Sequence, residues 1–306
     1  MILEIGLSGQ MFDSCSVWEH LEAAGSFGYR SVELRSAHIN PSVPENELIP
    51  VRDFLNERKI KVSCLSCFVG NYGLLTDEDC EKAFYTLMKY VQLACFFDSD
   101  MVRIWPAWQE SSSAPEEIWN RTVFWMQKSA DYAGGFGRRL VMEMHHGTLC
   151  DTAESSIKLL ERINRSNVGL TLDPVNLYQV PADYGKDAVR RLGKHIFNVH
   201  VKDIIELKTC ECAHAFPYSY YAKHIGRFTP VAAPSIKEER YYAHRRINQG
   251  GVDWPGALKA LEETGYNGYL IVESVSETNN DMPSGRSLAK VCYNDVMCLQ
   301  GAGADS

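Results

Sequence analysis

The chain has 306 residues, 45% of them hydrophobic, and a formal net charge of −8 at pH 7. That acidic balance argues against a nucleic-acid or anionic-membrane partner, because both require a basic surface. No apolar run approaches the roughly 20 residues that span a bilayer, and the first residues lack the basic region and apolar core of a signal peptide. We therefore expect a cytoplasmic protein that contacts neither nucleic acid nor membrane.

Short β-branched runs alternate with helical patterns along the chain. The predicted strands are Ile2–Gly6, Ser31–Leu34, Val62–Phe68, Met101–Trp105, Leu140–Met144, Val168–Leu172, Ile196–Val201 and Tyr269–Val272. The segments between them have apolar residues at helical spacing. The last of these, DWPGALKALEETG, carries Asp253 as an N-cap, Pro255 in the first turn and Gly265 past its end. A final helix is predicted near Gly285–Leu299.

Eight strand–helix alternations without a linker predict one domain over residues 1–306, folded as a single (β/α)8 TIM barrel. A doubly wound open sheet is the alternative, but it predicts a glycine-rich phosphate loop after the first strand. The run IGLSGQMF lacks the GxGxxG spacing of such a loop.

One segment, residues 204–250, breaks the alternation after the seventh strand. It has no clear periodicity and is rich in tyrosine, phenylalanine and histidine. A connection of that length inside a compact domain usually has a function. We expect this insertion to be a lid or a subunit interface at the carboxyl-terminal face of the barrel.

Four strands end in a side chain that can bind a metal. The runs LVMEMHHG, VGLTLDPVN, FNVHVKD and YLIVES place these residues at equivalent positions: Glu143, Asp173, His200 and Glu273. Because every strand of a parallel barrel ends at the same mouth, the four side chains should meet there. Three carboxylates and one imidazole favour Mn²⁺, with Mg²⁺, Co²⁺ or Fe²⁺ as alternatives, over a structural zinc. The competing interpretation is that they are unrelated helix caps and salt-bridge partners.

Other residues around this mouth are candidate contacts for a substrate. His145 lies two residues after Glu143, so both side chains point the same way. Lys202 has the same relation to His200. A divalent cation that chelates a carbonyl and an adjacent hydroxyl stabilises an enediolate, and a carboxylate or imidazole can then remove the α-proton. The remaining candidates for substrate contact flank the strand ends or lie in the insertion: Glu33, Trp105, Lys202 and Arg245.

These motifs resemble the xylose isomerase-like barrel superfamily, which includes ketose 3-epimerases, hydroxypyruvate isomerases, inosose dehydratases and divergent endonucleases. The resemblance covers nearly the whole chain and rests on the E-x-H pair at Glu143, the LDPVN turn, HVKD and NQGGVDWPGALKALEETGYNGYLIVES. It implies that the four strand-end residues hold the metal and that the two glutamates among them, Glu143 and Glu273, also move protons. It further implies that His145 and Asn176 contact substrate oxygens. The chain departs from the ketose epimerases at Asn176, where they favour histidine, and in its large insertion.

The aromatic residues near the mouth either stack on the apolar face of a sugar or indicate a substrate that carries an aryl group. In this respect the chain resembles the large subunit of the C-glycoside deglycosidases, which eliminate the aglycone from 3-oxo-C-glucosides with the help of a small β-sandwich subunit. The resemblance implies a small-molecule sugar or aryl keto-glycoside as substrate and His145 as the catalytic base. It also implies a small β-subunit in a hetero-oligomer, or otherwise a homo-oligomer.

Three alternatives remain open. A ketose 3-epimerase, sugar isomerase or keto-inositol dehydratase would act on a free substrate without a partner. A metal-dependent endonuclease would need a basic face, which the net charge opposes. A sugar-binding protein on a recycled barrel is the non-enzymatic alternative. It predicts a degraded metal cage, whereas all four ligand positions carry competent side chains.

Overall fold

Strands and helices alternate along the chain in the computed structural model, which describes residues 2–180, 183–208, 210, 215–233, 239–274 and 285–302. The elements in chain order are β1 (Ile5–Ser8), α1 (Val17–Phe27), β2 (Ser31–Arg35), α2 (Glu45–Arg58), β3 (Lys61–Ser66), α3 (Asp77–Phe96), β4 (Met101–Ile104), α4 (Glu116–Gly135), β5 (Arg139–Glu143), α5 (Ala153–Ile163), β6 (Val168–Leu172), α6 (Pro174–Tyr178), α7 (Lys186–Leu192), β7 (Ile196–Val201), β8 (Asp203–Leu207), β9 (Phe216–Pro217), α8 (Tyr220–Ile225), β10 (Tyr241–Arg245), α9 (Trp254–Glu263), β11 (Leu270–Val272) and α10 (Gly285–Ala302).

The strands β1 to β7 and β11 close into one parallel barrel in chain order, with β11 paired to both β7 and β1. The predicted (β/α)8 TIM barrel is therefore confirmed. The sixth and seventh strands have the predicted bounds. The first strand starts three residues later than predicted, because Ile2 is exposed and Leu3 bonds to Gln300 of α10 instead of a neighbouring strand.

Helix ends follow the local sequence signals. The Asp253 side chain accepts a hydrogen bond from Gly256 N at the start of α9, with Pro255 in its first turn. Gly265 adopts a positive φ of 74° just past the end, as the sequence predicted. In the part of the chain that the structure describes, no helix combines the length and apolar character needed to cross a membrane.

The insertion folds into a small three-stranded antiparallel sheet, ordered β8–β10–β9, with the short helix α8. Residues 209, 211–214 and 234–238 of the insertion lie outside the described residues. Asp203 joins the two ends of the insertion. The Asp203 carboxylate accepts hydrogen bonds from Ile204 N (2.9 Å), Gly250 N (3.0 Å) and Val252 N (3.3 Å). A Cβ at position 250 would lie 2.2 Å from the Asp203 carboxylate, so this close approach requires glycine.

Asn71 fastens the insertion to the barrel loops. Asn71 follows β3 with φ of 59°, and its Nδ2 donates to Thr229 Oγ1 (2.7 Å) and Pro230 O (2.8 Å). Its Oδ1 accepts a hydrogen bond from Trp108 N at 2.8 Å. The loops after β3 and β4 therefore hold the insertion over the mouth of the barrel.

Candidate metal centre and catalytic cavity

The ends of β5, β6, β7 and β11 bring Glu143, Asp173, His200 and Glu273 together, as the sequence predicted. One donor atom of each lies within 4.8 Å of the others. His200 Nδ1 is 3.2 Å from Glu273 Oε2, 3.6 Å from Asp173 Oδ2 and 3.8 Å from Glu143 Oε1. All four residues, which we call the cage, are at most 3% exposed. Asp173 Oδ1 also caps α6 by accepting from Asn176 N, which fixes the carboxylate.

Two buried cations hold the cage carboxylates. Arg103 Nη1 lies 2.6 Å from Glu143 Oε2, and Lys202 Nζ lies 2.7 Å from Asp173 Oδ2 and 2.8 Å from Glu273 Oε2. Burial raises the pKa of Glu143, but Arg103 and His200 together bring it down to about 2. Burial likewise opposes ionisation of Glu273, but His200 and Lys202 bring its pKa well below the usual value. Both glutamates are therefore held ionised.

Lys202 stays a cation in this environment. Burial lowers its pKa, but Asp173 and Glu273 raise it well above 10.5. A protonated amine has no lone pair, so Lys202 is not a Schiff-base nucleophile here. It lines the cavity and orients two cage carboxylates.

Glu33 and Asn176, both predicted to contact substrate, lie behind the cage. Glu33 Oε2 is 3.1 Å from His200 Nε2 and accepts from Asn198 Nδ2 at 3.2 Å. Asn176 Nδ2 donates to Glu143 Oε1 at 3.1 Å. Each is 1% exposed and neither lines the cavity. The structure therefore places them as supports that orient cage side chains, an arrangement that is common around metal sites.

The charge of this cluster fits a divalent cation. Four buried carboxylates face two buried cations, Arg103 and Lys202, which leaves a charge of −2 when His200 is neutral. Burial lowers the pKa of His200, but the surrounding carboxylates raise it well above 6.5, the response expected of a negative site. Among the described residues, the buried atoms His200 Nδ1 and Glu273 Oε1 have no hydrogen-bond partner. The donor set and the unpaired atoms both suit a metal of charge +2.

A cavity of ≈ 160 Å³ lies over the cage, between a polar wall and an aromatic wall. On the polar wall, Arg35 donates from Nε and Nη2 to Asp13 (both 2.8 Å) and from Nη1 to Gln10 (3.0 Å). The aromatic wall comes from the loops after β3 and β4 and from the insertion: Phe68, Trp105, Trp108, Phe216, Tyr220 and Tyr221. The two walls differ enough to bind chemically different halves of one substrate.

His145 lies at the base of the aromatic wall. Its Nδ1 is 2.6 Å from His146 O, and because a carbonyl only accepts, Nδ1 carries the proton. Nε2 is then the nitrogen with the lone pair. The imidazole ring packs against Trp108, Tyr221 and Trp105 at centroid distances of 5.0, 5.2 and 5.9 Å. Burial lowers its pKa against the opposing effect of Glu143, so His145 is a neutral base.

The two other residues predicted to contact the substrate, Trp105 and Arg245, differ in position. Trp105 lines the cavity as expected, but Arg245 does not. Adjacent residues of a strand point to opposite faces, and on β10 it is His244 that lines the cavity, while Arg245 Nη1 bonds to the His244 carbonyl at 2.8 Å. The sequence analysis did not identify Arg103 as a residue of the site. Its only indication in the sequence is that it is a charged residue inside the apolar strand MVRI. Asp13 and Gln10 were not identified either.

The fold and the donor set define a parallel (β/α)8 barrel with a candidate divalent-metal site at its catalytic face. The model of the xylose isomerase-like TIM barrel family matches residues 21–291, and the chain belongs to this family. The resemblance predicted from the motifs is thus confirmed for the family.

Named relatives carry several activities on this fold. The chain is 28% identical over 162 residues to the inosose dehydratase of Clostridium perfringens, covering 52% of this chain and 48% of the relative. It therefore spans about half the length of that relative. It is 21% identical over 198 residues to the 3-dehydroshikimate dehydratase of Bacillus anthracis, covering 64% and 68% of the two chains. The structure of an L-ribulose 3-epimerase superposes with a TM-score of 0.75 at 17% identity, covering 99% of this chain and 96% of the other.

Proposed function

We propose that the protein is a divalent-metal-dependent lyase that removes the proton beside the carbonyl of a keto-sugar and expels the substituent on the next carbon. The observation that carries this proposal is the contrast between the cage glutamates and His145. Buried cations hold both glutamates ionised, whereas His145 lines the cavity with an unprotonated nitrogen.

This contrast favours elimination over epimerisation. An epimerase that uses its two cage glutamates needs each of them to take up and return a proton on opposite faces of one carbon. Arg103 and Lys202 lower the pKa of Glu143 and of Glu273, which makes both carboxylates weak bases. An elimination needs one base, and His145 supplies it.

The roles of the chain's own residues follow from their positions. When bound in the cage, a divalent cation, which we propose to be Mn²⁺, supplies Lewis-acid polarisation of the substrate carbonyl. His145 Nε2 accepts the α-proton while Nδ1–H stays on the His146 carbonyl, so the ring keeps its orientation. Glu143, a nearby anion, stabilises the imidazolium that results. The aromatic wall excludes water from the carbanionic intermediate.

The aromatic wall is the basis for the substrate class. Trp105 and Trp108 pack with centroids 4.7 Å apart beside His145, and the insertion adds Phe216 and Tyr221. Such surfaces stack on aryl groups. We propose a 3-oxo-C-glucoside of an aromatic aglycone as substrate, which is the chemistry of a C-glycoside deglycosidase, with a small β-subunit as partner.

A keto-inositol dehydratase is the second candidate. The match to an inosose dehydratase favours it, and the polar wall of Gln10, Asp13 and Arg35 offers donors and acceptors for the hydroxyls of a cyclitol. The same base and the same cage would serve, with water as the leaving group.

Substrate incubation tests the proposal. Metal-loaded protein is incubated with 3-oxo-puerarin, with and without a co-expressed small β-sandwich subunit, and separately with scyllo-inosose. Release of the aglycone supports the first candidate, and loss of water from scyllo-inosose supports the second. Conversion of D-fructose to its 3-epimer, with no elimination from either compound, would contradict a lyase. His145→Gln serves as the matched variant and should retain metal while losing elimination.

A further inference from the structure

Tyr221 places a phenol of the insertion against the catalytic side of the cavity. Its ring lies 5.2 Å from His145, 5.6 Å from His146, 5.3 Å from Tyr220 and 6.2 Å from Phe216 between centroids. These contacts on several sides fix the ring. Its hydroxyl makes no hydrogen bond with the residues that the structure describes, although the residue lines the cavity.

The phenol is also close to the cage. Burial raises the pKa of Tyr221 to about 12, the charge of Lys202 opposes this, and Glu273 and Asp173 add to it. Tyr221 therefore keeps its proton at neutral pH and lies close to the charges of Lys202, Glu273 and Asp173. No described group competes for that proton.

An elimination that expels a poorly stabilised leaving group requires a proton for it, because the electron pair of the broken bond stays on the leaving atom. Of the described residues that line the cavity, only Tyr220 and Tyr221 carry a hydroxyl. Tyr220 is 39% exposed and its ring stacks on His224 at 6.2 Å between centroids, whereas the ring of Tyr221 lies 5.2 Å from His145. Lys202, the cation that acts on the pKa of Tyr221, is paired with the carboxylates of Asp173 and Glu273. Tyr221 is the hydroxyl placed beside the base.

We propose that Tyr221 donates its hydroxyl proton to the departing substituent, so that the insertion contributes a catalytic residue; this inference rests on the proposed function. His145 Nε2 takes the α-proton, and the electrons of that C–H bond form the new carbon–carbon double bond. The bond to the substituent breaks with its pair on the leaving atom, which takes the Tyr221 proton. The His145 imidazolium then returns a proton to the phenolate. The products are an enone and the protonated substituent, and no co-reactant is consumed.

Two substrates distinguish a proton-donating role of Tyr221 from a purely structural role. With 3-oxo-puerarin the leaving atom is carbon and needs a proton, whereas 4-nitrophenyl 3-oxo-β-D-glucoside releases a stable anion that needs none. In Tyr221→Phe we expect kcat for 3-oxo-puerarin to fall at least about 100-fold, and kcat for the nitrophenyl compound to fall less than about 10-fold. Tyr242→Phe is the matched control and should change neither rate by more than about threefold, since Tyr242 is buried on β10 of the insertion and does not line the cavity.

Hydrogen exchange at the α-carbon in D₂O supplies the second measurement. Because His145 remains intact, Tyr221→Phe should exchange this proton at close to the wild-type rate, with unchanged metal content and melting temperature. Equal losses on both substrates, or unchanged release of the aglycone, would overturn the role of Tyr221 alone. A wild-type protein that neither exchanges the proton nor eliminates any substituent would overturn the proposed function and this inference with it.

Discussion

The floor and the roof of the cavity are built in opposite ways. The floor is the cage with its supports, where ionised side chains lie at strand ends and pair over 2.6 to 2.8 Å. The roof is the aromatic wall, where rings from two loops and the insertion pack at centroid distances of 4.7 to 6.2 Å. Under the proposed function, the floor would hold the metal, and the roof would contact the substrate and supply the acid Tyr221.

The energetics differ in the same way. Each cage carboxylate is paired with a buried cation, and removing that partner leaves an unpaired charge in a medium of low dielectric constant. Ring–ring contacts in the roof involve no buried charge, and each contributes only about 0.5–1.5 kcal/mol beyond the area that it buries. Substitutions should therefore have steep effects in the floor and graded effects in the roof.

The largest effect is expected from emptying the cage. Glu143→Gln/Asp173→Asn removes two negative charges and two oxygen donors, so the content of about one equivalent of metal in protein purified without chelator should fall to near zero. Elemental analysis measures this, and activity should be lost with it. Asp151→Asn, at a buried carboxylate that bonds to Ser111 outside the cage, is the control and should keep its metal. Full metal content in the double variant would remove the cage from the mechanism.

Arg103→Met should destabilise the floor by about 3 kcal/mol, because it leaves the Glu143 carboxylate buried without its cation. Chemical denaturation gives the free energy of unfolding. Combining it with Glu143→Gln removes the stranded charge, so the double variant should be more stable than the sum of the two single effects predicts. Strict additivity would mean that the 2.6 Å pair contributes no coupling.

Asn71→Gly tests the roof alone. Glycine tolerates the positive φ at this position, but the change removes two hydrogen bonds to the insertion and a third from Trp108 N. Hydrogen exchange across residues 219–233 should show that local opening costs about 1–2 kcal/mol less. Metal content should stay the same, since no cage residue is touched. Loss of metal together with faster exchange would show that roof and floor are coupled.

The smallest effect is expected at Arg245, which the sequence predicted as a substrate contact and the structure places outside the cavity. Arg245→Ala should change stability and the apparent free energy of substrate binding by no more than about 0.5 kcal/mol. Steady-state kinetics on whichever keto-sugar is turned over gives the second quantity. A tenfold rise in KM would restore the sequence prediction over the structural one.

The floor was predictable because strand alternation is local and a parallel barrel sends every strand end to one mouth. That rule brought Glu143 and Glu273 together although 130 residues separate them. It could not assign the supports. Glu33 and Asn176 have the residue types of substrate contacts, and only the packed structure shows that their polar atoms are bonded to cage side chains.

The roof was not predictable in the same sense. Its sheet pairs β8 with β10, so Asp203 faces Arg245 across a segment without periodicity. Asn71 is a turn residue by sequence, and nothing near it indicates that its amide holds Thr229. Composition predicted an aromatic insertion over the mouth, but the one phenol beside the base, Tyr221, is selected by tertiary packing.

Both ends of the insertion bond to the Asp203 carboxylate, so the insertion could be replaced as one segment. The chain leaves the barrel at Asp203 and returns at Gly250 and Val252, which bond to the same carboxylate. A short turn between these positions would leave β7, β11 and the cage undisturbed, and a different roof could be grafted onto the same two ends. Replacement of one contiguous gene segment would then exchange the part of the aromatic wall that the insertion supplies, together with the proposed acid Tyr221, while the cage and His145 are inherited unaltered.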